Sequence, residues 1–137
     1  MGRQKRAIRV LIVDDEEDIR IVLSRVLKRR GFIVSEAENG KEALEKVESV
    51  GPDIIILDVI MPFVDGIKVC QILRDNPATQ YIPIIFLSAQ RSADKVSGNL
   101  PGAAIEHIDK PFDIEYLLKR INTLVKTLCL FLPLFLF

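Results

Sequence analysis

Three short runs in this chain are apolar at nearly every position and stop at a polar residue. They are "RVLIV" before Asp14-Asp15, "IIIL" before Asp58, and "IIFL" before Ser88. A strand that faces water on one side alternates polar and apolar residues. A strand with no alternation must be covered on both faces. Three such strands therefore demand a sheet with helices above and below it, and that requirement excludes most all-helical and sandwich folds.

The segments between the runs supply the helices. After Ile8 to Val13, apolar residues recur at Ile19, Val22, Leu23, Val26 and Leu27, with Arg20, Arg25, Lys28, Arg29 and Arg30 on the other face. That spacing predicts a first helix capped by Gly31. Phe32 to Ala37 predicts a second strand, more polar and suited to a sheet edge. Asn39-Gly40 turns into a helix carrying Ala43, Leu44 and Val47, which Gly51-Pro52 breaks. Strand three follows over Asp53 to Asp58. Helix three runs from Gly66 to Arg74, with Cys70 at its core side or boundary. Strand four spans Ile82 to Ser88. A weak fourth helix covers Ser92 to about Leu100, and a short fifth strand covers Ile105 to Ile108. Asp113 is placed to cap a last helix with an inner stripe of Ile114, Leu117, Leu118, Ile121, Leu124, Val125 and Leu128.

Five strand-helix pairs predict an α/β, doubly wound, five-stranded parallel sheet with five helices, flavodoxin-like, in the order 2-1-3-4-5. At 137 residues, one domain is expected. Residues 1–7 read as an N-terminal extension, 8–126 as the domain and 127–137 as an apolar tail. Lys plus Arg and Asp plus Glu both number 19, which argues against direct nucleic-acid binding on net charge. Cys70 and Cys129 form no CxxC pair, so a reduced, cytoplasmic setting is expected and a zinc site is not. The apolar run near the N-terminus is too short for a signal peptide, and no stretch is long enough for a membrane span.

In such sheets ligands bind beyond the carboxyl ends of the central strands. There the chain places Asp14 and Asp15, Asp58, Ser88, and Lys110 just after strand five. Carboxylates gathered in one crevice repel one another by several kcal/mol at an effective dielectric of about 20. A hard divalent cation such as Mg2+ would offset this, and it accepts carboxylate and carbonyl oxygens around an open position. Glu16, Glu17 and Asp18 read as a solvated helix start favoured by the helix dipole.

Asp14-Asp15, Asp58 in "LDVIMPFVDG", Ser88 in "FLSA" and Lys110 in "DKPF" together resemble the receiver domain of two-component response regulators. The likeness runs from about Ile8 to Val125. It implies that Asp58 is the phosphoacceptor, taking a phosphoryl group from the phosphohistidine of a sensor histidine kinase or phosphotransfer protein. It implies Mg2+ (or Mn2+) on Asp14, Asp15, Asp58 and the backbone carbonyl of Ile60. Met61-Pro62 and Asp65-Gly66 would shape the loop under the site. Ser88 and Lys110 would bind the phosphoryl group and start a switch in the face made by helix four, strand five and helix five. That face could dimerise or meet a downstream target or an output domain. Ile60 and Gln90, flanking the site, would tune the lifetime of the phosphoryl group toward intermediate or slow loss.

Two features depart from the family pattern. The switch position, three residues before Lys110, is usually Tyr or Phe and is here His107. Imidazole fills the same slot and can change charge near neutral pH, which predicts weaker or pH-sensitive switching. A half-exposed polar residue on an edge strand is the plain alternative. The glycine-alanine pair also sits eight residues before the lysine, where seven is usual, and Pro101 would reshape the end of helix four.

The tail "TLCLFLPLFLF" is apolar throughout and holds three of the chain's seven phenylalanines. A truncated or frame-shifted gene end or an artificial chain end is favoured over a docking or dimerisation segment, and Pro133 predicts that helix five does not continue through it. Other functions fit less well. A haloacid-dehalogenase-like phosphatase needs an aspartate where Ile60 stands. A flavin mononucleotide carrier needs a phosphate-binding loop where five acids lie, and a nucleoside triphosphatase needs a GxxxxGK loop. The remaining alternative is a pseudo-receiver, a protein-interaction module that takes no phosphate.

Overall fold

The computed structural model describes residues 6–61, 64–88 and 105–136, with side chains up to 126. The elements run β1 (Arg9–Val13), α1 (Glu17–Arg29), β2 (Ile33–Ala37), α2 (Gly40–Val50), β3 (Ile54–Asp58), α3 (Gly66–Asp75), β4 (Ile84–Ser88), β5 (Ile105–Asp109) and α4 (Ile114–Leu136). The strands form one parallel sheet in the order β2-β1-β3-β4-β5, as the pattern predicts.

The unbroken apolar runs now have their reason. Leu11, Val13, Ile55, Leu57, Ile84 and Phe86 enter one core with Ala43 and Val47 of α2 and Val69, Cys70 and Leu73 of α3. Their neighbours Val10, Ile12, Ile54, Ile56, Ile85 and Leu87 enter a second core with Leu23 and Leu27 of α1 and Leu117, Leu118, Ile121 and Leu124 of α4. Successive strand residues face opposite ways, so a sheet covered on both sides needs an apolar residue at every position. β2, at the edge, has intermediate or exposed residues through Glu36.

Among the described residues there are four helices, where five were expected. The helix expected over Ser92 to Leu100 lies outside the described residues. The last helix, α4 here, corrects a second expectation: its backbone continues past Lys126 and through Pro133 to Leu136. Proline lacks one N–H and crowds the carbonyl four residues back. So close to a helix end it removes one hydrogen bond, and the other residues from Thr127 to Leu136 tolerate helix well enough to carry the turn on. β4 begins at Ile84, two residues later than expected, because Pro83 has no N–H for the ladder.

The caps follow local chemistry. The Asn39 side chain accepts from Glu42 N at 2.8 Å, and the Asp65 side chain from Lys68 N at 2.8 Å. Asp113 Oδ1 accepts from Glu115 N at 3.1 Å, as predicted for the last helix. Gly31 and Gly51 follow α1 and α2 at φ +91° and +63°, a region open to glycine at no steric cost.

Candidate functional site

Parallel pairing brings the carboxyl ends of β1, β3, β4 and β5 to one edge. Val13 pairs with Leu57, Asp58 with Leu87, and Ser88 with Asp109. Asp14 follows β1 at 1% exposure, Asp58 closes β3 at 6%, and Ser88 closes β4 at 3%. These are polar groups at the rim of an apolar sheet, held there by the runs that precede them.

Lys110 binds the crevice together. Its Nζ donates to Asp14 Oδ2 at 3.0 Å and lies 3.8 Å from both Asp58 Oδ2 and Glu16 Oε1. Its backbone N–H donates to the Ser88 carbonyl at 2.9 Å, which fixes where the side chain starts. The Lys110–Pro111 peptide is cis. Burial pulls the Lys110 ammonium pKa down, but its hydrogen bond to Asp14 and the charges of Asp14, Asp58 and Glu16 outweigh this and raise it overall.

Asp58 shows the opposite balance. Burial and then the Asp14 charge raise its carboxyl to about 6, against the pull of Lys110 and the Ile60 N–H, with a smaller push from Asp15. The Ile60 N–H donates to Asp58 Oδ1 at 3.3 Å. One lysine therefore does not balance the acids around it.

Among the described residues, carboxylate oxygens of Asp14, Glu16 and Asp58 lie within 4.8 Å of one another. Three hard oxygen donors, partly buried and under-neutralised, suit Mg2+ or Mn2+. Glu16, read from the sequence as a solvated helix start, joins the cluster. The Asp14 side chain accepts from Glu16 N at 2.9 Å and so turns the chain, bringing residue 16 back over the crevice. An acid two residues beyond a strand-end aspartate was the available signal. Asp15 is exposed beside this group and not part of it.

Arg20 is a second residue that helical periodicity misplaced. It was assigned to the solvent face, yet its side chain is only 13% exposed. Its guanidinium donates to the Asp14 carbonyl at 2.7 Å and lies 3.6 Å from Glu36. It thus pins the strand-end backbone that carries Asp14.

His107 lies on β5 opposite Phe86 of β4 and stacks on it, with ring centroids 5.4 Å apart and planes 16° apart. Both ring nitrogens are buried and lack a hydrogen-bond partner among the described residues. The plain reading, a half-exposed polar residue, therefore holds for the residue as a whole but not for its ring nitrogens. Ile60 is 55% exposed beside Asp58. Met61 is buried, while Pro62 and Gln90 lie outside the described residues.

A sheet in this order, with acids and a lysine at the central carboxyl ends, defines a small class of α/β domains. The model of the response regulator receiver domain family matches residues 10–122, and the chain belongs to that family. The chain is 38% identical over 119 residues to the response regulator MprA of Mycolicibacterium vanbaalenii, covering 87% of this chain and 51% of that protein. It is 38% identical over 120 residues to the transcriptional regulatory protein TrcR of Mycobacterium tuberculosis, covering 87% and 46%. The chain thus spans about half the length of the curated relatives it matches. The solved structure of the chemotaxis protein CheY4 of Vibrio cholerae superposes with a TM-score of 0.79 at 32% identity, covering 87% of this chain and 99% of that one. Among the described residues no helix is long and apolar enough to cross a membrane.

Proposed function

We propose that this receiver accepts a phosphoryl group on Asp58 from the phosphohistidine of a sensor histidine kinase or phosphotransfer protein, and that the modification switches its output face. One observation carries the reading. Asp58 is a buried carboxylate at the end of a central strand, 3.8 Å from an ammonium and within 4.8 Å of two further carboxylates.

A carboxylate held in place is a competent nucleophile for phosphoryl transfer. An Asp58 oxygen forms the new bond to phosphorus as the P–N bond to the donor imidazole breaks, and that nitrogen keeps the electron pair. The product is an acyl phosphate on Asp58. Lys110 lies where it can neutralise charge on the phosphoryl oxygens. Asp14 and Asp58 would hold the metal with the Ile60 carbonyl and Glu16, and Asp15 would join them by turning its exposed side chain inward. Bound there, Mg2+ or Mn2+ supplies the positive charge that Lys110 alone does not. Raising Asp58 to about 6 still leaves it mostly ionised, and nucleophilic, at neutral pH.

The phosphoryl group adds a charge of about −1.5 to −2 and three acceptor oxygens. Ser88 and Lys110 would bond to it, and a shift at Ser88 would be felt at His107 through β4 and Phe86. This is a two-state equilibrium biased by one group. A downstream target, an output domain in a longer protein, or a second copy would read the β5 face. Exposed Ile60 would hinder a hydrolytic water and Gln90 would orient one, so slow to intermediate loss of phosphate is expected. The pseudo-receiver alternative gains no support from the family match or from the acidic cluster.

The test is intact mass after incubation with acetyl phosphate and Mg2+. One phosphoryl adduct is expected, absent in Asp58→Asn and in EDTA. No adduct on folded protein would refute the proposal.

A further inference from the structure

Arg20 grips the turn that bears the acidic cluster at two points. Its guanidinium donates to the Asp14 carbonyl at 2.7 Å, and its backbone N–H donates to the Glu16 carbonyl at 3.2 Å. Asp14 and Glu16 are the residues on the β1 side of the crevice whose carboxylates lie within 4.8 Å of each other and of Asp58. The Asp14 N–H donates to the Ala37 carbonyl at 3.1 Å, so β2 holds one side of this residue's backbone and Arg20 the other. Arg20 is itself tethered. Its Nε lies 3.6 Å from Glu36 Oε1, on the strand that ends at Ala37. Its side chain is 13% exposed, whereas Arg25 and Arg29 on the same helix are in solvent. An arginine this well covered must have its donors and its charge engaged.

A divalent cation needs its oxygen ligands in a narrow range of positions, Mg2+ above all. Both carboxylate oxygens of Asp14 are engaged: Oδ1 accepts from Glu16 N and Oδ2 from Lys110 Nζ. Where those oxygens stand is set by the backbone that Arg20 holds. A ligand fixed before the ion arrives loses less freedom on binding. Groups hydrogen-bonded behind metal ligands are worth about 10- to 100-fold in metal affinity. The charge of Arg20 acts in the opposite sense, because a cation beside the crevice repels a divalent ion. Replacing the side chain with an apolar one therefore tightens binding if charge dominates and weakens it if position does.

We propose that Arg20 is a positioning residue that sets the affinity of the crevice for Mg2+ or Mn2+ by fixing the turn from Asp14 to Glu16. This rests on the reading of the crevice as a divalent-cation site, and not on which residue accepts the phosphoryl group. The test is Mn2+ binding to the full chain, followed by the paramagnetic resonance signal of free Mn2+. Arg20→Met is expected to weaken binding at least about tenfold. Arg20→Lys, which keeps the charge and an N–H donor, should recover most of that loss. Arg30→Met, which breaks the pair with Glu115 past the far end of α1, should bind as the parent does. The shift of the urea midpoint with Mn2+ reports the affinity of the folded state, so a destabilised Arg20→Met is still read. Parental or tighter binding by Arg20→Met would overturn the inference, as would an equal loss in Arg30→Met. If Asp58→Asn weakens binding in the same series, the cation site itself stands and only the role of Arg20 falls. A parent that binds no Mn2+, or binds it no better than Asp58→Asn, would remove the site and the inference with it.

Discussion

Asp58 is held where ionisation is unfavourable, and that has a measurable consequence. Its folded pKa is about 6 against an ordinary 3.8. Between those values the folded state binds the extra proton, so this group makes stability fall as pH rises from about 4 through 6. Asp58→Asn removes the penalty. In metal-free buffer at pH 7.5 the variant is predicted to be more stable than the parent by up to about 3 kcal/mol. Urea unfolding should show the difference closing near pH 4. Lys110 works the other way. Lys110→Met strands Asp14, 1% exposed, without its ammonium partner. A loss of about 2–4 kcal/mol is expected in EDTA, partly restored by Mg2+. Equal stability of variant and parent would mean that the Lys110–Asp14 contact is incidental.

At the scale of elements, the connection between β3 and α3 sets the position of the site. A Cβ on Gly66 would lie 2.2 Å from the Asp58 carbonyl oxygen and 3.0 Å from Val59 Cα. Both are backbone atoms of the segment that bears Asp58, so neither can yield without moving it. Gly66→Ala is predicted to cost roughly 2 kcal/mol or more and to slow phosphorylation, because the Asp58 backbone must shift. A variant of parental stability and rate would show that the loop relaxes freely. From the sequence, "DG" was readable as a helix start, and Asp65 does cap α3. The close approach of Gly66 to Asp58 was not readable, since it depends on how α3 folds back over the strand. The same limit explains Arg20 and Glu16. Helical periodicity assigns a face, but a long side chain at the first turn can reach back to the strand end, and an Asx-like turn can lift its neighbour over the crevice.

Over the whole molecule, what the sequence revealed best was what repeats. Central strands with no alternation could only be a doubly covered sheet, and the order of apolar runs and helical stripes implied the topology. Asp14, Asp58, Ser88 and Lys110 were legible because a parallel sheet necessarily collects its carboxyl ends. The course of α4 through Pro133 was not, because one residue's propensity was weighed against the cooperativity of a helix already formed upstream. Occupation of the crevice should be visible globally. Mg2+ at about 100 times its dissociation constant is predicted to stabilise the parent by about 3 kcal/mol in urea unfolding, with a much smaller effect on Asp58→Asn. Equal gains in both would place the ion elsewhere. The central claim, that Asp58 carries the phosphoryl group, is tested most directly by borohydride reduction of the phosphorylated chain followed by peptide mapping. Reduction of an acyl phosphate leaves homoserine in place of aspartate. The account predicts homoserine at position 58 and nowhere else. Homoserine at position 14 or 15, or none in a chain that carries the adduct, would contradict it.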